Sequence, residues 1–424
     1  MALPELIEIA PLRGSVHAVV TIPGSKSITN RAMVLAALGS GETTLAGALW
    51  SEDTQVMAAC LQKLGFLVEI TVDPGERSNR TIRIGGRGGA IPGAGTADEP
   101  LDLWVGNAGT AARFLGALVC LGRGVYRLRG VSRMHERPQK ALFDALRQLG
   151  YRIDSDNDYL PATFYGGGPR PNRECTVSIE ESSQFASALL LGGQRGGWSI
   201  QVTGENAEES PYVAMTSDLI KSFPHAGGVF QVEPDASSGS YFWAAGWLAP
   251  AGSAIVAANW PESRLQIDAQ FPKYLHFPHV ISRQSDLGDS IMTSIVLAAL
   301  APHPVVFTDL GRLRAQECER VAALRTELAK CGARVLEEGD SLQIQPSALH
   351  GAEIDTYHDH RMAMCFATLG LKVPGIRIKN PACVKKTFPD FFQKLAAEPP
   401  RGLGAVLTNP ATGRTLRDDE LASA

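Results

Sequence analysis

The chain contains 424 residues, of which 44% are apolar and 20% are charged. This composition provides for large buried cores and excludes an intrinsically disordered chain. At about 100–200 residues per domain, the length predicts two or three domains. A formal net charge of −4 gives no reason to expect nucleic acid or an anionic membrane surface as a partner.

The N-terminal segment has no basic stretch followed by an apolar one, so we expect no secretory signal. No apolar run approaches the ~20 residues that a membrane helix needs. The seven cysteines are scattered and form no Cys-x-x-Cys pair, which favours reduced thiols over a disulfide framework or a zinc site. We therefore expect a soluble, cytoplasmic α/β protein.

Six segments begin with small polar residues and continue into an Ala/Leu-rich stretch with little charge. In chain order they are 25–38, 106–121, 182–191, 235–248, 288–300 and 359–371. Ser, Asp and Asn cap the first free amides of a helix. A helix that is apolar nearly all round is buried, so these segments predict six buried helices.

Amphipathic helices are predicted after most of these segments. The clearest are 53–65, 137–150, 211–223 and 318–332, with a weaker candidate at 264–281 and a further one at 388–398. Gly65, Gly150 and Gly332 are expected to end three of them in a left-handed conformation. A β-like run follows each of these three glycines.

These elements predict six similar units, three in each of two domains. The unit starts divide evenly near residue 236, so we assign one domain to 23–236 and the other to 1–22 plus 237–398. The N-terminal strand precedes the first unit and is expected to pair with the second half. The tail, 399–424, is rich in Gly, Pro and polar residues, and we expect it to be disordered or packed on the surface.

Many cations lie at or near the predicted helix starts. They are Lys26, Arg31, Arg113, Arg133, Arg137, Arg320, Arg361, Lys385 and Lys386. Helix N-termini already attract anions, so added cations are unfavourable there unless a carboxylate or phosphate binds. Each residue alone is compatible with a solvated surface charge, but together they indicate a multiply anionic, phosphorylated ligand.

Other patterns carry less weight. The stretch 38–45 lacks the GK[ST] ending of a phosphate-binding loop, and the alternate histidines of 357–360 have no third metal ligand nearby. Asp289 and Glu317, at the starts of two predicted helices, are candidate acid/base groups because burial there shifts a carboxyl pKa. From spacing alone, a plain N-cap is the preferred interpretation of Asp289.

Seven blocks of the sequence resemble the 5-enolpyruvylshikimate-3-phosphate synthase family, in the family's order, as far as about Leu395. They are IPGSKSITNRAMVLAAL, LWVGNAGTAARFL, RMHERPQKAL, SSQFASALLL, DASSGSYF, YHDHRMAMCF and CVKKTFPDFF. The resemblance implies an inside-out α/β barrel, in which two domains of three βαβαββ units each close on the substrates. It also implies transfer of an enolpyruvyl group from phosphoenolpyruvate to the 5-hydroxyl of shikimate 3-phosphate, without a metal or organic cofactor. We further expect a monomer.

The resemblance also implies the site residues. Those expected to bind phosphoenolpyruvate are Lys26, Gly109, Arg137, Gln184, Arg320, Arg361 and Lys386. Those expected to bind shikimate 3-phosphate are Lys26, Ser27, Arg31, Ser182, Ser183, Gln184, Asp289, Arg312 and Gln316. Asp289 is the expected base, Lys26 and Glu317 are the expected acid partners, and His360 is a neighbouring proton-handling group.

The departures from the family pattern cluster on the acceptor side. Gln316 replaces a lysine, Arg312 occupies an asparagine position, Ser210 is shifted by one residue and Phe114 replaces a proline. They leave open the acceptor and the response to phosphonate inhibitors. The alternatives are a sister transferase acting on UDP-N-acetylglucosamine, a paralogue with another hydroxy-acid acceptor, and a non-catalytic anion-binding module.

Overall fold

A computed structural model describes residues 3–204 and 210–422 of the chain. The α-helices of these ranges are α1 (Lys26–Leu38), α2 (Glu52–Lys63), α3 (Gly109–Cys120), α4 (Lys140–Gln148), α5 (Gln184–Gly196), α6 (Pro211–Ser222), α7 (Ala236–Leu248), α8 (Ile291–Ala298), α9 (Arg320–Lys330), α10 (His360–Gly370) and α11 (Phe391–Ala396). None of these described helices is long and apolar enough to cross a membrane.

Short strands alternate with these helices along the chain. They are β1 (Leu6–Ile9), β2 (His17–Val20), β3 (Glu42–Leu49), β4 (Leu67–Val72), β5 (Asn79–Gly85), β6 (Leu101–Trp104), β7 (Arg123–Arg129), β8 (Arg152–Asp154), β9 (Ala162–Gly167), β10 (Glu174–Ser178), β11 (Ser199–Thr203), β12 (Gly228–Gln231), β13 (Ala254–Ala257), β14 (Val280–Ser282), β15 (Val305–Thr308), β16 (Arg334–Glu338), β17 (Ser341–Gln345), β18 (Glu353–Ile354), β19 (Ile376–Lys379), β20 (Leu407–Asn409) and β21 (Arg414–Thr415).

The chain divides into two compact units, one of which is Gly24–Glu233. Its strands form three sheets, in the orders β12-β3-β5-β4, β6-β7-β9-β8 and β10-β11. Each sheet contains one parallel pair, and the two larger sheets add antiparallel pairs. Helices α1, α3 and α5 contact one another, and each is buried along most of its length.

The other unit consists of the chain before Gly24 and after Glu233. Its sheets have the orders β13-β2, β14-β15-β17-β16 and β18-β19-β1-β20-β21. The N-terminal strand β1 pairs antiparallel with β19, and β2 pairs parallel with β13. Helices α7, α8 and α10 contact one another and are buried in the same way. Each unit therefore repeats one pattern three times, a buried helix accompanied by a sheet.

The prediction of six buried helices is confirmed by α1, α3, α5, α7, α8 and α10. These helices are buried because hardly any position along them carries a charge that must reach water. The amphipathic partners appear as α2, α4, α6, α9 and α11, whereas the weak candidate at 264–281 is the 3-10 helix Ile267–Tyr274. Gly65, Gly150 and Gly332 have positive φ, as expected of residues that follow a helix end.

The expectation of disorder for the tail is wrong over 399–422. Strand β20 pairs with β1, and β21 pairs with β20 at the edge of the five-stranded sheet. Four leucines anchor the tail with almost fully buried side chains: Leu403, Leu407, Leu416 and Leu421. The polar composition hid these spaced apolar residues, which provide the burial that a disordered segment lacks.

Candidate active site

In the unit Gly24–Glu233, Lys26 opens helix α1 and its ammonium group lies 3.3 Å from the carboxylate of Asp53 on α2. Asp53 is buried, and Lys26 is partly exposed. A buried carboxylate restricts where the flexible lysine side chain places its charge. Asp53 carries no signal in the sequence that would mark it as part of a site, because its partner lies 27 residues earlier.

Arg31 lies one helical turn after Ser27 and is fully buried. Its guanidinium donates to Thr216 Oγ1 at 2.7 Å, to the Ser27 carbonyl oxygen at 2.9 Å and to Ser187 Oγ at 3.1 Å. Burial lowers the pKa of Arg31 to about 10, opposed by the charge of Tyr212. These three acceptors are neutral oxygens, so this buried cation favours an anion nearby.

A second cationic group surrounds the start of α3. A Cβ at Gly109 would collide with the guanidinium groups of Arg113 and Arg137, so any larger residue there would displace both arginines from their present positions. Arg137 donates to the carbonyl of Asn107 at 3.1 Å, and Arg113 donates to Gln184 Oε1 at 3.3 Å. Two guanidinium groups beside a helix N-terminus form an environment suited to a phosphate or carboxylate.

Ser182 and Ser183 precede helix α5, which begins at Gln184. The backbone amide of Gln184 donates to Ser182 Oγ at 3.2 Å, and the Gln184 side chain donates to Thr110 Oγ1 on α3 at 3.2 Å. Gln184 therefore links the start of α5 to the start of α3. The structure places all the predicted site residues of this unit at the starts or in the first two turns of α1, α3 and α5, or next to them.

In the other unit, Asp289 lies two residues before α8. Its Oδ1 accepts from Arg283 Nη2 at 2.8 Å, and its Oδ2 lies 3.1 Å from Arg361 Nη2. Burial disfavours ionisation of Asp289, but Arg361 and Arg283 outweigh burial and hold its pKa well below the ordinary value. Asp289 is therefore a carboxylate, with a cation on each oxygen, at any pH near neutrality.

Arg320, the first residue of α9, is almost completely buried among acceptors. Its Nε donates to Asp359 Oδ2 at 2.7 Å, its Nη2 donates to Glu317 Oε2 at 2.9 Å, and its Nη1 donates to Gln316 Oε1. Burial lowers the pKa of Arg320, but Asp359 and Glu317 overcome this effect and raise it above the ordinary value. The predicted donor-binding arginine and the predicted acid partner are thus in direct contact.

Three further predicted residues extend this group. Lys386 Nζ lies 3.5 Å from Glu317 Oε1, and the buried His360 has its Nδ1 3.7 Å from Asp359 Oδ1. Arg312 lies on the 3-10 helix Gly311–Ala315, immediately before Gln316. Asp359 was missed by the sequence analysis, although its place before a buried helix is an N-cap signal and its side chain accepts from the Arg361 amide at 2.8 Å.

The segment 357–360 does not form a metal centre with other side chains. Asp359 is used by Arg320 and by the start of α10, and His358 Nδ1 lies 2.8 Å from Asn380 Nδ2. Among residues 3–204 and 210–422, no group of three His, Cys, Asp or Glu side chains is placed to hold a metal ion. The site residues described above offer cations, hydroxyls, amides, one imidazole and four carboxylates, those of Asp53, Asp289, Glu317 and Asp359.

Curated proteins of known name resemble the chain over most of its length. A protein of Trichormus variabilis named 3-phosphoshikimate 1-carboxyvinyltransferase is 37% identical over 436 aligned positions, which cover 92% of this chain and 98% of that protein. A protein of the same name from Opitutus terrae is 38% identical over 434 positions, covering 93% and 98%.

Solved structures show the same fold. An EPSP synthase from Acinetobacter baumannii superimposes with a TM-score of 0.69 at 20% identity, covering 95% of this chain and 100% of that one. The enolpyruvyl transferase NikO from Streptomyces tendae gives a TM-score of 0.68 at 17% identity, covering 97% and 99%. The predicted two-domain α/β fold of the enolpyruvyl transferases is thereby confirmed.

The family model described as EPSP synthase (3-phosphoshikimate 1-carboxyvinyltransferase) matches residues 11–276 and 279–395. This match spans both structural units and leaves out only the two ends of the chain and two residues between the matched ranges. With relatives of that name at 37–38% identity over more than nine-tenths of the chain, the assignment follows: the chain belongs to the EPSP synthase family.

Proposed function

We propose that this protein transfers the enolpyruvyl group of phosphoenolpyruvate to the 5-hydroxyl of shikimate 3-phosphate and releases phosphate. The observation that carries the proposal is the state of Asp289, an ionised carboxylate held between Arg283 and Arg361 in a chain of this family. A protein that only bound anions would gain nothing from an acidic group among its cations. We propose that the enzyme works as a cytoplasmic monomer without a metal or organic cofactor.

The donor binds, in this proposal, to cations and amides: Lys26, Gly109, Arg137, Gln184, Arg320, Arg361 and Lys386. Phosphoenolpyruvate carries a carboxylate and a phosphate, and guanidinium groups pair with both through two parallel hydrogen bonds. Arg320 and Arg361 are already engaged with Glu317, Asp359 and Asp289. The incoming anion therefore competes with protein carboxylates, which leaves them available to transfer protons.

The acceptor binds, in this proposal, to Lys26, Ser27, Arg31, Ser182, Ser183, Gln184, Asp289, Arg312 and Gln316. The buried Arg31 supplies the charge that the shikimate carboxylate requires, and the hydroxyls before α5 suit the oxygens of the sugar-like phosphate. Asp289 faces the hydroxyl that reacts. Gln316 supplies an amide where related sequences carry a cation.

The reaction proceeds by addition and elimination. Asp289 accepts the proton of the 5-hydroxyl while the oxygen of that hydroxyl attacks C2 of phosphoenolpyruvate. At the same time C3 takes a proton from Lys26 or Glu317. This step forms a tetrahedral ketal phosphate. The bond between C2 and the phosphate oxygen then breaks and C3 returns a proton to its donor. The proton held by Asp289 passes to the leaving phosphate, so the enol ether and inorganic phosphate result and Asp289 is again a carboxylate. Cations around the leaving phosphate stabilise the charge that develops on it.

A second candidate function is transfer to a different hydroxyl acceptor. The observation in its favour is Gln316, whose side-chain oxygen accepts from Arg320 instead of presenting a cation. The sister reaction on UDP-N-acetylglucosamine and transfer to another hydroxy acid both belong to this class. Both share the donor chemistry, so only the acceptor separates them from the main proposal.

We expect phosphate release from phosphoenolpyruvate to be at least ~100-fold faster with shikimate 3-phosphate than with shikimate or UDP-N-acetylglucosamine. The expectation follows because an acceptor without the phosphate leaves the predicted phosphate-binding groups unpaired. A coupled phosphate assay with each acceptor at equal concentration measures the ratio. Faster release with UDP-N-acetylglucosamine or another hydroxy acid would establish the second function, and no release with any acceptor would support a binding module.

Replacing Arg31 with lysine is expected to raise the KM for shikimate 3-phosphate by about 10- to 100-fold. The change keeps the charge and loses the planar fork, and charge-assisted hydrogen bonds contribute about 1.5–3 kcal/mol. Steady-state kinetics with each substrate varied in turn distinguishes a rise in the KM for shikimate 3-phosphate from a rise in the KM for phosphoenolpyruvate. The exposed Arg152, paired with Asp154, provides the control variant Arg152→Lys, with unchanged constants. An equal rise in the phosphoenolpyruvate KM would contradict the acceptor role of Arg31.

A further inference from the structure

A buried carboxylate that the proposed mechanism does not use lies beside Asp289. Asp268 is on the 3-10 helix Ile267–Tyr274 and is 4% exposed. Its Oδ1 accepts from the backbone amide of Ser290 at 2.6 Å. Ser290 directly follows Asp289 and precedes α8, so Asp268 holds the backbone that carries the proposed base.

The same segment also holds the start of a second buried helix. Gln266 Oε1 accepts from the amide of Ala236 at 3.0 Å, and its Nε2 donates to the Pro234 carbonyl at 2.8 Å. Ala236 opens α7, whose Ser237 hydroxyl accepts from Arg361 Nη1. Gln266 and Asp268 thus hold the backbone at the starts of α7 and α8. Asp289 lies just before α8, and the start of α7 contacts Arg361.

Asp268 adds a negative charge to a group in which three guanidinium groups, those of Arg361, Arg283 and Arg320, act on Asp289. Arg283 and Arg361 place two positive charges on Asp289, and the charge of Arg361 also reaches Asp268. Asp235, before α7, adds a further negative charge that acts on Arg361, and Lys273 of the 3-10 helix is exposed. The negative charge of Asp268 partly offsets these cations, so without it Asp289 would be a still weaker proton acceptor.

We propose that Asp268 is a positioning residue that fixes the backbone of Asp289 and whose negative charge keeps Asp289 able to accept a proton beside Arg283 and Arg361. This inference rests on the proposed function, in which Asp289 is the base. Asp268 touches neither substrate in this role. It acts through the Ser290 amide and through its field on Asp289.

The ionisation of Asp268 gives the proposal a measurable signature. Burial, together with the charge of Asp289, raises the pKa of Asp268 to about 6, against the hydrogen bond from Ser290 and the charge of Arg361. An aspartate whose pKa rises on folding destabilises the fold increasingly as the pH increases from its ordinary value near 3.8 to about 6. The charge needed for catalysis is therefore unfavourable for stability at neutral pH.

The variant Asp268→Asn separates these effects because asparagine can still accept the Ser290 amide hydrogen bond but carries no charge. We expect its kcat at pH 7.5 to be about tenfold below that of the wild type, with both substrates saturating. We also expect its melting temperature to exceed that of the wild type at pH 7.5 and to equal it at pH 4. Asp268 is ionised above pH 6, so the ratio of wild-type to variant kcat should fall towards one as the pH decreases through 6.

The titration of the substrate phosphates affects both proteins alike, so its effect cancels in the ratio of wild-type to variant kcat. Asp286→Asn is the matched control, since Asp286 Oδ2 accepts the Ser282 amide at 2.8 Å in the loop before Asp289; its kcat should match the wild type. Wild-type kcat in Asp268→Asn, or a pH-independent ratio, would overturn the inference while leaving the proposed function intact. A wild-type enzyme without turnover would refute the proposed function itself.

Discussion

Replacing Asp289 with asparagine is expected to lower kcat by at least ~10³-fold while phosphoenolpyruvate still binds. Asparagine has nearly the shape of aspartate, but its amide cannot take a proton from the acceptor hydroxyl. General acid–base groups contribute about 10²–10⁴-fold to rate, and this base acts in the first bond-forming step. Asp289→Ala should abolish turnover in the same way, although it also removes the partner of Arg283 and Arg361.

Donor binding tests whether the loss is chemical. Asp289 competes with the donor for Arg361, so removal of its charge should leave the dissociation constant of phosphoenolpyruvate unchanged or lower it. Titration calorimetry measures that constant, and phosphate release in a single turnover measures the chemical step. Asp286→Asn is again the matched control. Turnover of Asp289→Asn within a few-fold of the wild type would falsify the assignment of Asp289 as the base.

The pH dependence of the wild type follows from the same cluster. Asp289 has its pKa held well below the ordinary value, so it remains ionised as the pH falls from 8 to 5. The stability that ionised Asp289 contributes is fully present above the pKa that Asp289 has in the unfolded chain. It is lost only as the pH falls below that pKa, which lies under the range from 8 to 5. A decrease of kcat near pH 6 therefore does not come from the titration of Asp289.

The buried helices could be predicted from the sequence because their signal is local. In α3, a run of small and apolar residues occupies every face of the helix, and a helix of this kind can only be buried. The sequence predicted a helix at 264–281 only weakly. The reason is that Pro272 lies inside the 3-10 helix Ile267–Tyr274 and prevents regular helical hydrogen bonding. Its function at the start of α8 depends on Ser290, 22 residues away in sequence.

Other site residues were missed by sequence reasoning for the same reason, namely that their contact partners are distant in sequence. Asp53, Asp268 and Arg283 occur in stretches with no distinctive pattern, and their partners are set by tertiary packing. Most of the residues identified from the sequence lie in distinctive blocks at or near helix starts. The pairing of Arg320 with Glu317 is different, because the two residues are only three positions apart, with Glu317 just before the start of α9.

Replacing Leu407 with alanine is expected to lower the free energy of unfolding by about 2–5 kcal/mol, the range for a leucine in a packed core. Leu407 is 1% exposed and lies on β20 opposite Ile9 of β1. Urea denaturation at neutral pH measures the loss. Val406, the preceding residue, is 46% exposed and provides the control Val406→Ala, which should change the free energy by less than about 0.5 kcal/mol.

Ending the chain after Glu398 is expected to have a larger effect, because it removes β20 and β21 together with all four buried leucines of the tail. It also removes the acceptors of two backbone hydrogen bonds, from Ala10 to Val406 at 2.9 Å and from Val19 to Pro400 at 2.9 Å. Strand β1 would then become an open sheet edge, which promotes aggregation. Light scattering and the urea midpoint of the shortened chain measure both consequences.

The kinetic constants of the tail variants separate stability from catalysis. No predicted site residue lies beyond Lys386, so the folded fraction of Leu407→Ala should retain the wild-type kcat and both KM values. A stable, soluble chain ending at Glu398 with wild-type kinetics would mean that β20 adds nothing to the fold and that the tail is a surface appendage. The pairing of β20 with β1 and the burial of Leu407 predict the opposite, a tail that is a structural part of its unit.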